Sequence, residues 1–305
     1  MTSLPAPVRR LPGRSLGPLL GRLRRGAHDP TYRRLGSTWF RALLTPVGPA
    51  LLRLDESSEV VAEAWGDGAD WALEQLPALL GDLDDPSGFR PDHPLLREAQ
   101  RRVPGLRVGR TDLVWEAFAP AVIEQKVTGN EAYAGFRRLV RQFGEPAPGP
   151  ARIQGHPAYG LVCPPGPAAW ARIPSWTWLK AGIEPARSRT IVAAAGRATA
   201  LERTLRAPAD ADRRLRSLPG VGVWTSAEVR QRAHGDPDAW SDGDYHIPGM
   251  ITLALAGEKL DNDAARELLE PYRGDRYRVQ QLVEILGIRP ERRGPRRTLP
   301  THFPR

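Results

Sequence analysis

The sequence predicts an α+β protein in which a small mixed unit precedes a mainly helical bundle. Between residues 38 and 64, short runs rich in branched and aromatic residues are separated by turn residues, which is typical of paired strands. Beyond residue 104 the apolar residues recur at helical spacing between Gly- and Pro-rich turns. Strands followed by helices in separate runs indicate an α+β fold. The 305 residues suffice for two cores of ordinary size.

The first third of the chain is predicted to contain an arm and a domain. Residues 1–30 are rich in Pro, Gly and Arg, so we predict a basic arm that is partly disordered or lies against a domain. Residues 31–104 are predicted to form the N-terminal α+β domain. Its expected elements are strands at 38–44, 50–54 and 59–64 and helices at 70–80 and 92–102.

Residues 105–288 are predicted to form the helical domain, and residues 289–305 a basic tail. Pro and Gly crowd residues 144–167, where we expect a surface loop around the helical core, with Cys163 as a small buried apolar residue. The expected helices are 111–127, 132–143, 168–172, 175–181, 185–201, 211–217, 223–235, 245–256, 262–269 and 275–286.

The composition limits the partners and cofactors. A net charge of +9 favours a polyanionic partner, although an arginine-rich composition is also what a GC-rich genome produces. One cysteine excludes a disulfide framework and an iron–sulfur cluster held by four thiolates. The six histidines lack metal-ligand spacing, so no zinc site is expected. No run of about 18 apolar residues occurs, and we expect a soluble, cytoplasmic, nucleoid-associated protein that does not contact membranes.

The central motif is Leu-Pro-Gly-Val-Gly-Val-Trp-Thr at 218–225, between two predicted helices. Gly220 and Gly222 are free to adopt positive φ, and Gly222 leaves the N–H groups at the start of the second helix accessible to an anion. The motif therefore predicts a phosphate-binding turn made of backbone. About twenty residues later, Asp244 stands at the start of another predicted helix.

Segment 218–247 resembles the helix-hairpin-helix and Gly/Pro-Asp signature of the helix-hairpin-helix DNA glycosylase superfamily, and specifically the branch of bacterial 3-methyladenine DNA glycosylase II. The Trp224-Thr225 and Asp244-Tyr245 pairs make the resemblance more specific than the glycine turn alone. It covers roughly residues 105–288. It implies a mixed α/β domain ahead of the helices, and double-stranded DNA containing damaged bases as the partner of a base excision repair enzyme.

Asp244 matches the catalytic aspartate of the family. An aspartate at this place is also a favoured helix N-cap, and the roles agree because a helix N-terminus favours an anion. A carboxylate there would stabilise the oxocarbenium-like sugar and orient water once the base has been flipped out. A base alkylated on a ring nitrogen already carries positive charge, so one aspartate suffices for alkylated purines. Asp242 is either a second acid or a loop carboxylate.

Trp224 occupies the position at which strand-cutting members of the superfamily carry a nucleophilic lysine. Tryptophan cannot form a Schiff base, so we predict a monofunctional glycosylase without AP-lyase activity. The resemblance implies that Trp224 stacks on the base, and a core position is the alternative. Trp115 and Tyr245 are further candidates for the base pocket. Glu228 stands where the alkylpurine branch tends to have an aromatic residue, so the lesion preference is expected to differ.

The predicted DNA contacts fall on two turns. Segment 124–128 resembles the family's Gln-x-Val-Ser segment, which enters the minor groove. Lys126 occupies the wedge position, where a lysine leaves intercalation and a phosphate or orphan-base contact equally open. The predicted contacts are Gly220, Val221, Gly222, Thr225, Gln125 and Lys126.

No cofactor is expected from the residues. The family holds a monovalent cation against hairpin carbonyls, which here lie near Ser217 and Leu218, and the sequence leaves open whether Na⁺ or K⁺ binds. We expect a monomer. Two other functions stay open: a non-catalytic DNA-binding or lesion-sensing protein, and a glycosylase for neutral oxidised or deaminated purines, in which Glu228, Asp242 or His246 would assist the leaving base.

Overall fold

The computed structural model describes residues 7–290, and strands precede helices in them, which confirms the α+β class. Residues 1–6 of the predicted arm and the predicted tail from 291 onwards lie outside this range. The strands are β1 (Val8–Pro12), β2 (Tyr32–Leu35), β3 (Thr38–Thr45), β4 (Gly48–Glu56), β5 (Glu59–Trp65), β6 (Glu145–Pro146) and β7 (Val162–Cys163). The helices are α1 (Gly17–Leu20), α2 (Ala69–Glu74), α3 (Leu76–Leu79), α4 (Pro94–Arg102), α5 (Val114–Ile123), α6 (Gly129–Phe143), α7 (Pro167–Ala171), α8 (Ser175–Lys180), α9 (Pro185–Ala195), α10 (Ala198–Glu202), α11 (Ala211–Arg216), α12 (Val223–Val229), α13 (Ile247–Ala256), α14 (Asn262–Leu269) and α15 (Arg276–Leu286).

A five-stranded antiparallel sheet in the order β1-β5-β4-β3-β2 forms the N-terminal unit. The predicted hairpin is β3–β4, closed by a tight turn in which Thr45 pairs with Gly48. Successive residues of a strand face opposite sides of a sheet. In β3, Trp39 and Leu43 accordingly pack in the cluster that includes α1–α3, whereas Phe40 belongs to a cluster on the opposite face.

Residues 8–23, predicted as part of an arm, belong to this sheet unit. Strand β1 pairs with β5 from Val8 opposite Glu63 to Pro12 opposite Glu59. Helix α1 follows and buries Leu20 in the sheet's main cluster. The sequence did not predict this strand, because it is only five residues long and only one of its side chains is buried, so no alternating apolar pattern is present.

Residues 144–167 also differ from the expected surface loop around the helical core. They include the short antiparallel pair β6–β7, and their apolar side chains cover the outer face of the N-terminal sheet. Cys163 is buried there as predicted, with its Sγ 3.6 Å from the carbonyl oxygen of Ala50. Burial raises the pKa of this thiol to about 12.

The remaining helices bury their apolar faces in two clusters. The first surrounds α5 and includes Phe118, Trp170 and Trp178. The second combines α13–α15 with α4, whose Leu96 is fully buried, so we place α4 with the C-terminal helices rather than with the N-terminal unit. The segment that carries Asp244 connects α12 of the first cluster to α13 of the second. None of the described helices is long and apolar enough to cross a membrane.

A buried ion pair joins the segment after α3 to the C-terminal helices. The guanidinium of Arg278 in α15 donates to both carboxylate oxygens of Asp84 at 2.8 and 2.9 Å. The two side chains are only 3% and 5% exposed. Asp84 also accepts the backbone N–H of Val108 at 2.8 Å. A single carboxylate therefore fixes two segments against α15.

Asp84→Ala is expected to lower the free energy of unfolding by about 2–4 kcal/mol, because two buried N–H groups of Arg278, which retains Asp275 as a partner, and the N–H of Val108 lose their acceptor. Guanidinium denaturation followed by tryptophan fluorescence measures this change. Asp263→Ala is the matched control, since Asp263 pairs with Arg266 in α14 while 81% exposed. Equal effects of both substitutions would contradict the role assigned to Asp84.

A buried histidine ends the helical run that begins with α12. His234 lies at the end of a π turn, Arg230–His234, with its Nε2 2.9 Å from the hydroxyl of Thr204. Burial lowers the pKa of His234 to about 4. The unfolded chain, with an imidazole pKa near 6.5, therefore takes up this proton first as the pH falls.

The contribution of His234 to stability is expected to be complete above pH 6.5 and to decline as the pH falls towards 4. Between pH 7.5 and pH 5 this amounts to about 2 kcal/mol. His234→Gln replaces the imidazole with an amide, which can still bond Thr204 but does not titrate. Between pH 7.5 and pH 5 the free energy of unfolding of the variant should therefore fall by about 2 kcal/mol less than that of the wild type. Parallel pH dependences of unfolding in the two proteins would refute this assignment.

Candidate active site

Helices α11 and α12 meet across the tight turn 217–222, as predicted. Gly220 has a φ of +83°, and a Cβ there would lie 2.3 Å from the Oγ1 of Thr190, so the position requires glycine. Gly222 does not adopt the positive φ that the sequence allowed, because its backbone is extended, with φ −96° and ψ −175°. Space beside Gly222 is nevertheless open, because a Cβ there would meet no atom within 4 Å.

The start of α12 presents free backbone donors at this open place. Among the described residues, no group accepts from the N–H of Gly222, Val223 or Trp224. Val221 and Thr225 are buried and hold the turn against the first helical cluster. Unpaired N–H groups at a helix start attract anions, so the geometry fits the predicted phosphate-binding turn.

The turn after α5 lies directly against the hairpin. The amide of Gln125 donates to the carbonyl oxygen of Gly220 at 2.9 Å and to the Oγ1 of Thr225 at 2.8 Å. Lys126 follows with an exposed side chain and a φ of +56°, which is uncommon outside glycine. The two segments predicted to contact DNA are therefore joined by hydrogen bonds.

Asp244 is held by three donors. Its Oδ1 accepts the backbone N–H groups of His246 at 2.6 Å and Ile247 at 3.0 Å, which caps the start of α13. Its Oδ2 accepts the indole N–H of Trp224 at 3.0 Å. An ionised carboxylate offers about four acceptor positions. Asp244 is half-buried, so part of its side chain remains exposed.

The predicted aromatic partners of Asp244 occupy different environments. Trp224 is half-buried and contacts the carboxylate directly. Tyr245 is 88% exposed and packs edge-on against the ring of His246, with the ring centroids 4.8 Å apart. Tyr245 thus borders the site instead of lining an enclosed pocket.

Asp242 anchors the loop and is not a free acid. Arg266 of α14 donates to both of its carboxylate oxygens at 2.9–3.1 Å. The amide of Asn262 donates to the same carboxylate at 2.9 Å. These contacts fix the loop two residues before Asp244 and engage Asp242 with a positive charge.

Glu228 is buried and fully paired. Its Oε2 accepts from Arg232 at 2.6 Å, and its Oε1 accepts the hydroxyl of Ser241 at 2.7 Å. Burial lowers the pKa of Arg232, but the carboxylates of Glu228 and Glu124 outweigh it and raise that pKa above its usual value. Glu228 therefore supports a polar network beneath Trp224, one helical turn further along α12.

Ser241 is the centre of that network and was not predicted from the sequence. Its hydroxyl also accepts the amides of Gln231 and Gln280 at 3.0 and 3.1 Å, and its N–H donates to Gln280 at 2.8 Å. Its carbonyl oxygen accepts the backbone N–H of Asp244 at 3.1 Å. The one sequence pattern that could have indicated this network is the i,i+4 spacing of Glu228 and Arg232, which is typical of an ion pair on a helix.

A second unpredicted pair brings the N-terminal unit to the site. The Nε of Arg25 lies 3.4 Å from the carboxylate of Glu124, the residue before Gln125. Burial raises the pKa of Glu124, and the charges of Arg25 and Arg232 oppose this rise. The residues after α1 thus contact the end of α5.

Trp115, a candidate for the base pocket from the sequence, does not lie near Asp244. It is buried and stacks on Phe118, with the ring centroids 5.6 Å apart. It lines a cavity of about 540 Å³ to which segment 217–247 contributes no residue. Trp115 therefore belongs to a different site from Asp244, because the hairpin packs against α5 while Trp115 stands at the opposite end of that helix.

Ser241→Ala is expected to lower the free energy of unfolding by about 1–3 kcal/mol, because Glu228 and two glutamine amides lose a buried partner. Thermal or urea denaturation measures the effect. Ser57→Ala is the control, since the Ser57 hydroxyl bonds the carbonyl of Glu59 at the surface. If the two variants were equally stable, the Ser241 network would not hold the loop.

No family model matches the chain. Two curated relatives, both named "Probable bifunctional transcriptional activator/DNA repair enzyme AlkA" and both from Mycobacterium tuberculosis strains, are 29% identical over 238 residues. The match covers 75% of this chain and 39% of each relative, so the chain spans about two fifths of their length.

Solved structures match over most of the chain. A 3-methyladenine DNA-glycosylase from Archaeoglobus fulgidus has a TM-score of 0.71 at 18% identity, over 90% of this chain and 97% of that one. MBOgg1 in complex with a low-affinity DNA ligand has a TM-score of 0.69 at 15% identity, over 94% and 98%. The Clostridium acetobutylicum 8-oxoguanine glycosylase/lyase with DNA has 0.67 at 11%, over 88% and 90%. At these identities the likeness establishes the fold.

Proposed function

We propose that this chain, which has the fold of the helix-hairpin-helix DNA glycosylases and resembles bacterial 3-methyladenine DNA glycosylase II, excises damaged purines from double-stranded DNA. The observation that carries the proposal is the contact between Trp224 and Asp244 at 3.0 Å. It places a carboxylate and an aromatic ring side by side, next to a turn with free backbone N–H groups.

DNA is the partner that the surface suits best. The hairpin offers N–H groups to one phosphate, and Lys126 adds a positive charge on the adjoining turn. The net charge of +9 extends the attraction over the molecule. Affinity for duplex DNA is therefore expected to fall steeply with salt, since binding releases condensed counterions.

The chemistry assigned to Asp244 is the stabilisation of charge. When the bond between deoxyribose and base breaks, positive charge develops on the sugar, and a fixed carboxylate beside it lowers the barrier. Its three donors hold Asp244 in one orientation before the substrate arrives, so little reorganisation is needed during the reaction. The accessible carboxylate position orients the attacking water.

Cationic alkylated purines are the substrate class that the site favours. Such bases leave without protonation, and both carboxyl groups considered for protonating neutral bases are engaged: Glu228 with Arg232 and Ser241, and Asp242 with Arg266. Of the three candidates, that leaves the exposed imidazole of His246. An electron-rich indole attracts a cationic purine ring through stacking and cation–π contact. Trp224 supplies that ring at the position where a lyase would need lysine, so the proposed enzyme leaves the abasic strand intact.

The monovalent cation of the family would lie against the carbonyls near Ser217 and Leu218. Among the described residues, no donor reaches the carbonyl of Ser217, and that of Leu218 accepts only the N–H of Val221, at 3.1 Å. Free lone pairs are thus available, and a bound Na⁺ or K⁺ would stiffen the turn beneath the phosphate.

Asp244→Asn is expected to reduce base release by at least about 100-fold, because it removes the negative charge that opposes the charge of the sugar. Duplex DNA treated with a methylating agent is incubated with each protein, and the released purines and the strand breaks are quantified. Asp263→Asn, an exposed carboxylate of α14, is the matched control and should retain full activity. The affinity of Asp244→Asn for DNA should change little.

Other outcomes distinguish the alternatives. If only oxidised or deaminated purines were released, the proposed glycosylase activity would stand but the proposed substrate class would be wrong. Binding without release of any base would favour a lesion-sensing protein. Strand cleavage after base release would refute the monofunctional assignment.

A further inference from the structure

The net positive charge of the protein is concentrated in one part of the chain. Residues 126–189 contain nine Lys and Arg residues but only three Asp and Glu residues, so about a fifth of the chain carries two thirds of the net charge of +9. This segment includes α6 and α8. A bias of composition would raise the charge throughout the chain, whereas a local excess indicates a surface for a polyanion.

Helix α8 exposes a large apolar surface next to a lysine. Trp176 is 64% exposed and Leu179 is 47% exposed. Lys180 is also exposed, and positions i, i+3 and i+4 of a helix share one face. Trp178 of the same helix is buried and stacks on Trp170, with the ring centroids 5.5 Å apart. The helix is therefore anchored in the core and holds the other tryptophan towards solvent.

Helix α6 adds two cations to this surface. The guanidinium of Arg138 donates to the backbone carbonyl of Lys180 at 2.8 Å, and a Cβ at Gly135 would lie 2.7 Å from the carbonyl oxygen of Ala181. The two helices thus touch at the end of α8. Arg141 lies one turn beyond Arg138, and both side chains are exposed. We define the α6–α8 face by five exposed side chains: Arg138, Arg141, Trp176, Leu179 and Lys180.

The cations of the α6–α8 face are not neutralised by neighbouring carboxylates. Exposed arginines elsewhere often form ion pairs within their own helix, as Arg101 does with Glu98 in α4. Among the described residues, no carboxylate forms an ion pair with Arg138, Arg141 or Lys180. Phosphate groups can therefore approach these three cations without displacing a carboxylate first.

We propose that the α6–α8 face binds single-stranded DNA, at a site separate from Asp244. The three cations pair with phosphates, and an unpaired base stacks on the indole of Trp176. The bases of a duplex are already stacked on their neighbours, so an exposed ring beside cations suits unpaired nucleotides better than a duplex.

The α6–α8 face lies beyond the surface that is proposed to hold the duplex. Helix α6 begins shortly after the turn that carries Lys126. With a rise of about 1.5 Å per residue, Arg138 and Arg141 lie about 14 and 18 Å along the axis from the start of α6. Binding of a single strand there does not depend on base excision.

Fluorescence anisotropy of a labelled oligo(dT) of about twelve nucleotides tests the proposal on the full chain. Oligo(dT) contains no purine, so it offers no base for the chemistry proposed at Asp244. Trp176→Ala is expected to weaken binding about tenfold, because one base loses its stacking partner. Trp176→Phe retains a ring and should stay within about threefold of the wild type. Leu83→Ala is the control, since it removes an apolar side chain that is 62% exposed elsewhere, and it should bind as the wild type does.

The salt dependence of the affinity tests the cations. The double variant Arg141→Ala/Lys180→Ala should reduce the slope of log K against log[salt] by about 0.7 for each phosphate contact that is lost. Arg101→Ala removes one exposed positive charge from α4 and should leave the slope unchanged. Circular dichroism verifies that each variant is folded.

No binding of oligo(dT) at low salt, or equal binding by the wild type and Trp176→Ala, would overturn the proposal. Displacement of oligo(dT) by a short undamaged duplex would place the single strand at the hairpin and would also overturn it. Equally effective competition by poly-glutamate would show that the α6–α8 face selects charge alone, and an acidic protein would then replace single-stranded DNA as the partner.

Discussion

The hydrogen bond between Trp224 and Asp244 is the contact on which the candidate site depends. It joins α12, in the first helical cluster, to the loop that starts α13, in the second. The same carboxylate caps α13 through two backbone N–H groups. A residue that caps a helix and contacts a neighbouring helix is fixed by both, so the function and the stability of this loop rest on the same atoms.

Buried polar groups behind this contact hold the loop at several points. Ser241 connects Glu228 of α12 with Gln280 of α15, and Arg266 holds Asp242 on the other side. Paired buried groups of this kind tolerate little rearrangement, since a shift leaves them unpaired. In the proposed enzyme these contacts would hold the carboxylate in place before the substrate binds.

Features that depend on neighbouring residues in the sequence were predicted correctly. The hairpin glycines, the helix after Asp244 and the β3–β4 pair follow from turn residues and periodicity. Strand β1 and the packing of α4 on the C-terminal helices depend on distant partners, which no spacing reveals. Trp115 was assigned to the wrong site because aromatic content does not show at which end of a helix a pocket lies. Ser241 and Gln280 carry no motif, and only the fold makes them neighbours.

The contact between Arg22 and Tyr277 bears on the order in which the chain folds. Arg22, close to the beginning of the chain, donates to the hydroxyl of Tyr277 in α15 at 2.7 Å, across a separation of 255 positions. During synthesis the first residues emerge long before their partner, and contacts between distant segments are slow to form. The N-terminal sheet can pair its strands early and contact α5 through Arg25 and Glu124, but its contact with α15 has to wait until that helix has been made. The same helix carries Gln280, the partner of Ser241, so the network behind Asp244 is also completed only after α15 has been made.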